Sequence, residues 1–151
     1  MATKVIQNIL YLSVKGDVDL DSDTLFWILM DTGFAFDQSS HHQYSDVSAS
    51  ELGAGNGYTQ FIAGGAAGKE AAGISISRDD SLYKLTVTWS NPQWTASGGT
   101  IGPTPGAFLL DDDVADDPLL MYIDFNGEGS EADGGVFTIA SPKLEITTAA
   151  A

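Results

Sequence analysis

Four aspartates at alternate positions, Asp17, Asp19, Asp21 and Asp23, are the first residues in the chain whose type and spacing could do chemistry. Calcium and similar hard cations are held by several carboxylates placed close together. An EF-hand loop starting at Asp17 requires Gly at its sixth position and Glu at its twelfth, where this chain has Ser22 and Ile28. In an extended segment alternate side chains share one face, so these carboxylates would repel unless water or a cation separated them. The four are weak candidate calcium ligands, and a solvated acidic loop is the stronger expectation. A second acidic run, Asp111, Asp112 and Asp113 with Asp116 and Asp117, is read the same way.

Asp31-Thr32-Gly33 follows an apolar run and matches the triplet of aspartic proteases. That chemistry needs two such aspartates sharing a proton. Only one copy is present, and Asp-x-Gly is also an ordinary turn. His41 and His42 could ligate a metal with Asp37 or Asp46 nearby, but adjacent side chains on a strand point to opposite faces. Gly64 to Glu70 resembles a phosphate loop with its glycine spacing one residue short, and Glu70 stands where a hydroxyl should hold magnesium. No nucleophile elbow accompanies the serines. Trp27, Trp89 and Trp94 could form a sugar-stacking platform, but core packing is the commoner use of such rings, although Trp94, beside Asn91-Pro92, has a setting that allows exposure. No catalytic and no cofactor-binding residue is assigned.

The elements that would position these groups are mostly strands. Tyr83-Lys84-Leu85-Thr86-Val87-Thr88-Trp89 alternates apolar and polar residues, the signature of a strand with one buried face. Ile74 to Ser77 pairs with it as a hairpin across Asp79-Asp80. Thr24 to Met30 is a continuous, β-rich run of strand length, consistent with a strand buried on both faces, although its pattern alone also fits a helix. Val5 to Val14 reads as a first strand ended by Gly16, and Ser48 to Glu51 fits a capping box opening a short helix near Val47 to Leu52. Ser97 to Gly106 and Asn126 to Gly135 read as turn-rich loops, with strands at 107–110, 119–125, 136–139 and 144–146. Tyr58 to Ile62 reads as a brief strand.

The expected fold is therefore all-β: a single antiparallel β-sandwich or jelly-roll-like domain over residues 1–151, with about eight to ten strands and at most one short helix. Residues 1–14 read as a docking arm or edge strand, and 147–151 as a short tail.

Composition narrows function further. The chain of 151 residues has no cysteine and carries a formal net charge of −15, with only six basic residues, thinly spread. Nucleic-acid binding needs clustered Lys and Arg to neutralise phosphates, and an anionic membrane surface repels the chain for the same reason. The N-terminus is a poor secretory signal, and no apolar run approaches the ~20 residues that cross a bilayer. A soluble protein is expected.

Gly16 to Thr24 leading into an apolar strand, then Phe34-Ala35-Phe36-Asp37, His42-x-Tyr44-Ser45-Asp46-Val47 and Glu51-Leu52, resembles a group of small structural proteins of tailed bacteriophages. The later segments Asp117 to Phe125 and Asp133 to Ile139 are similar as well, so the likeness spans nearly the whole chain. It implies a non-enzymatic virion component: a capsid decoration or cement protein, or alternatively a tail or head-tail accessory protein. The implied partners are the major capsid protein or other virion subunits, with homo-oligomers expected. The implied location is the outer surface of the head, after synthesis in the host cytoplasm. A calcium- or carbohydrate-binding β module is the alternative from another class.

Overall fold

A computed structural model describes residues 2–147. Among them are ten strands, all paired antiparallel, in sheets of five, three and two strands. The expected all-β antiparallel fold is what the chain adopts.

The largest sheet is built on two long strands, β7 (Ile101–Asp111) and β8 (Leu119–Glu131). Its order is β1-β8-β7-β2-β3, where β1 is Ala2–Val5, β2 Leu25–Leu29 and β3 Lys69–Glu70. As its uninterrupted apolar run requires, β2 is buried on both faces. Leu25, Trp27 and Leu29 enter one apolar layer, and Phe26, Ile28 and Met30 enter the other. The same split runs through β7, with Ala107 and Leu109 on one side and Phe108 and Leu110 on the other. In β8, Leu120 and Met121 both face the first layer. The register steps from Leu109 opposite Met121 to Leu110 opposite Leu119, leaving Leu120 as the extra residue of a bulge.

The first layer is a sandwich interior. Val87 and Trp89 of and beside β5 (Lys84–Thr88) and Leu144 of β10 (Lys143–Thr147) close it, with Trp94 of β6 (Gln93–Thr95) and Phe137 of β9 (Val136–Thr138). Strand β4 (Ser75–Asp79) completes the three-stranded sheet, ordered β10-β5-β4. On the second face of the large sheet, loops replace a sheet. Phe34, Phe36, Tyr44, Val47 and Phe61 cover it, and the rings of Phe34, Phe36 and Tyr122 surround Phe108 at 5.7, 5.8 and 4.7 Å.

Several local expectations are overturned. Where a first strand was expected over Val5 to Val14, β1 ends at Val5 and a nine-residue helix, α1 (Gln7–Lys15), follows. Ile6 and Ile9 are buried three residues apart, a helical spacing, and Gly16 stops the helix in the left-handed conformation at φ +78°. With α2 (Tyr44–Val47) there are two short α-helices rather than at most one, and a 3-10 turn (Ser48–Ser50) extends the second. The edge-strand reading holds for Ala2–Val5, which pairs with β8 from Ala2 opposite Asp124 to Val5 opposite Met121.

The Gly/Pro-rich residues 101–106 belong to β7 rather than to a loop. Two register shifts accommodate them, and Gly106 is needed because a Cβ there would collide with the Tyr122 ring and the Ile123 carbonyl. Likewise β8 continues through Glu131, into what reads as loop. Tyr58 to Ile62 forms only isolated bridges. The tail reading at 147–151 lies outside the described residues apart from Thr147, which ends β10.

Candidate functional site

The two acidic runs, far apart in sequence, meet at one end of the large sheet. β2 and β7 are neighbours there, Leu25 opposite Asp111, so the segment leading into β2 lies beside the segment leaving β7. The Thr24 N–H donates to Asp113 Oδ2 at 2.6 Å, the Asp112 N–H to the Thr24 carbonyl at 3.0 Å, and the Gly64 N–H to Asp112 Oδ1 at 2.7 Å. Asp111 is wholly buried. One of its oxygens accepts the Asp113 N–H at 2.9 Å, and no donor reaches the other among the described residues. Burial, reinforced by the neighbouring Asp23 carboxylate, pushes the Asp111 carboxyl up to about 7. Burial and a nearby like charge both disfavour the ionised form of a carboxyl.

The weak calcium candidates are not brought together as ligands. Asp17 forms an ion pair with Lys15. Asp19 Oδ1 accepts the Asp21 N–H at 3.1 Å and Asp23 Oδ2 accepts the Asp19 N–H at 2.6 Å, while the Asp19 carbonyl accepts from Ser22 and Asp23. The segment is a turn, not the extended stretch that would align four carboxylates on one face. Among the described residues, no group of three or more acidic or histidine side chains could hold a metal ion.

A second polar centre was not foreseen. Glu51 is buried and accepts three bonds, from the Tyr44 hydroxyl at 2.6 Å, the Tyr58 hydroxyl at 2.7 Å and the Phe61 N–H at 2.9 Å. Tyr58 in turn accepts the Leu29 N–H at 3.0 Å, tying the network to β2. Burial raises the Glu51 carboxyl while the three donors pull it back, and burial with the adjacent carboxylate drives the Tyr58 hydroxyl upward. Every partner in this network is protein and each polar atom is satisfied, so it pins the 51–61 loop onto the sheet. Glu51 therefore does not serve the capping box expected with Ser48. The box that forms is one turn earlier, where Asp46 Oδ2 accepts the Gln43 N–H at 3.0 Å. The sequence signal available was Glu51 standing seven residues from each of two tyrosines, a spacing with no meaning until the loop closes.

The remaining candidates are scattered. Asp31 is exposed and its Oδ1 accepts the Thr32 N–H at 2.8 Å, the geometry of a turn. His41 accepts the Asp37 N–H and stacks on Phe34 at 5.1 Å, whereas His42 contacts the Gln38 carbonyl at 3.1 Å. At the false phosphate loop an aspartate already occupies the Gly64 N–H, and Lys69 and Glu70 are strand β3. All three tryptophans are buried, Trp94 included, the core packing that is the commoner use of such rings. Trp27 and Trp89 pack edge to face at 6.1 Å.

A groove of ≈ 400 Å³ runs along the three-stranded sheet, lined by Arg78, Tyr83, Lys84, Leu85 and Ile146 among others. Smaller grooves lie beside Phe125 and Phe137 and beside Lys69 and Trp94. No family model, no curated protein and no solved structure matches this chain.

Proposed function

We propose that this chain is a non-enzymatic structural component of a tailed-bacteriophage particle, seated on the outside of the head as a decoration or cement protein. The observation that carries the reading is the use made of its reactive side chains. Asp19, Asp23, Asp31, Asp46, Glu51, Asp112 and Asp113 each accept backbone or tyrosine donors of the same chain and hold its loops in place. That leaves shape, apolar area and charge at the surface as the means of action. The likeness to phage structural proteins supports the same assignment.

Such a protein works by contact area. It binds neighbouring subunits of an assembled shell and not the dissociated ones, so the assembled state gains stability by mass action. An acidic exterior suits a surface facing away from packaged nucleic acid. Mass spectrometry of purified particles tests the proposal. The chain is expected in many copies per particle and at the outer face of the head in an image reconstruction. Its absence from particles would overturn the reading.

A further inference from the structure

The three-stranded sheet has an inner face that the described residues leave partly uncovered. Register places Ile76, Val87 and Leu144 in one cross-strand row and Arg78, Leu85 and Ile146 in the next, all on the same face. The opposite face carries Ser75, Ser77, Thr86, Thr88, Lys143 and Glu145, a polar surface suited to water. Period-two patterning thus assigns the first face to the interior, yet only Val87 and Leu144 are buried there, with Ile146 packed partly against the core. Ile76 is 48% exposed and Leu85 37%. At the hairpin turn beside them, Leu82 is 59% exposed, and the ≈ 400 Å³ groove opens next to it. Exposed apolar surface gathered in one place, rather than scattered singly, marks an interaction site.

Charge identifies the occupant. The rest of the molecule carries the whole net charge of −15, so two copies approaching by most faces repel one another. The groove is lined by two of the six basic residues, Arg78 and Lys84, and by two carboxylates, Asp79 and Asp80. The patch is locally neutral with both signs present, which is what a self-complementary two-fold contact requires: a cation on one copy can meet a carboxylate on the other. It also offers a knob, Leu82, beside a groove.

We propose that this face is the contact for a second copy of the same chain, each copy's Leu82 entering the other's groove over Leu85 and Ile146. The dimer stands independently of any particle, since it is a property of the purified protein. Sedimentation equilibrium of the full chain is expected to give twice the 15.9 kDa monomer mass. Leu82→Asp and Ile76→Asp are each expected to shift the equilibrium to monomer while keeping the far-UV circular dichroism of the folded chain and a cooperative melt, lowered only by loss of the dimer's contribution, whereas Val136→Asp, an exposed apolar position on β9, leaves the dimer intact. Should Ile76→Asp fail to fold, Leu82→Asp, in a turn, decides alone. A wild type that remains monomeric up to its solubility limit would overturn the proposal, as would a dimer that survives Leu82→Asp or is lost equally in Val136→Asp.

Discussion

The two principal sheets treat the same alternating pattern differently. In the five-stranded sheet β2 and the central part of β7 have apolar layers on both sides, one closed by the smaller sheets and the other by rings from the 34–61 loops. In the three-stranded sheet one face is polar, and the other meets the core through Val87 and Leu144, with Ile146 packed partly against it. The first arrangement has every neighbour it needs within one chain. Among the described residues, the second leaves Ile76 and Leu85 at the surface. The large sheet therefore holds most of the buried core, and the small one carries the face proposed above for a second copy.

The largest effect should come from the centre of the large sheet. Phe108→Ala removes a fully buried ring enclosed by three others and is expected to cost about 3–5 kcal/mol in denaturant unfolding. A loss below ~1 kcal/mol there would mean the two sheets do not differ as described. Glu51→Ala comes next. It orphans two tyrosine hydroxyls and the Phe61 N–H, and is expected to cost about 3 kcal/mol. Hydrogen exchange should show the added opening confined mainly to the 51–61 loop and its contact with Leu29.

Asp111 makes the end of the large sheet sensitive to pH. Its folded carboxyl is held up to about 7, above the ordinary value of 3.8, so the folded chain keeps a proton that the unfolded chain releases. This stability is fully present below about pH 4 and is lost as pH rises to about 7. Melting temperature should accordingly be higher in mild acid than at neutrality, with relief of the excess negative charge acting in the same direction. Asp111→Asn is expected to flatten that slope and to stabilise the chain by about 2 kcal/mol above neutrality. An unchanged pH profile would remove Asp111 as the cause.

The small sheet should respond far less. Leu85→Ala, at a partly exposed position, is expected to cost below ~1 kcal/mol in the monomer, and its effect should appear in self-association instead. Smallest of all is the effect of calcium. Melting curves in calcium and in chelator should coincide, because Asp17 to Asp23 form a turn and not a ligand set. A calcium-dependent rise in melting temperature would reopen that assignment.

Strand identity was legible wherever hydrophobic pattern and local chemistry agreed. Leu25 to Met30 announced a strand buried on both faces, and the hairpin of β4 and β5 was readable from alternation and its Asp-Asp turn. Legibility failed where two signals conflicted. Val5 to Val14 has β-rich composition, but Ile6 and Ile9 three residues apart with Gly16 as a left-handed stop describe a helix. At 101–106 glycine and proline signalled a turn, while pairing with β8 held the segment in the sheet through two register shifts. Exposure departed from the pattern at Leu85, which alternation places on a buried face and which lies partly open.

Composition and period-two patterning alone determined the antiparallel all-β class, the acidic exterior and the absence of any familiar catalytic spacing, because these depend on local sequence. Only the tertiary structure decided that Asp23 lies against Asp111, that Glu51 gathers two tyrosines and a backbone N–H, and that Ile76 and Leu85 extend past the core. Those facts depend on which loops meet after the strands have paired, and contacts between distant segments leave no trace in the spacing of either one.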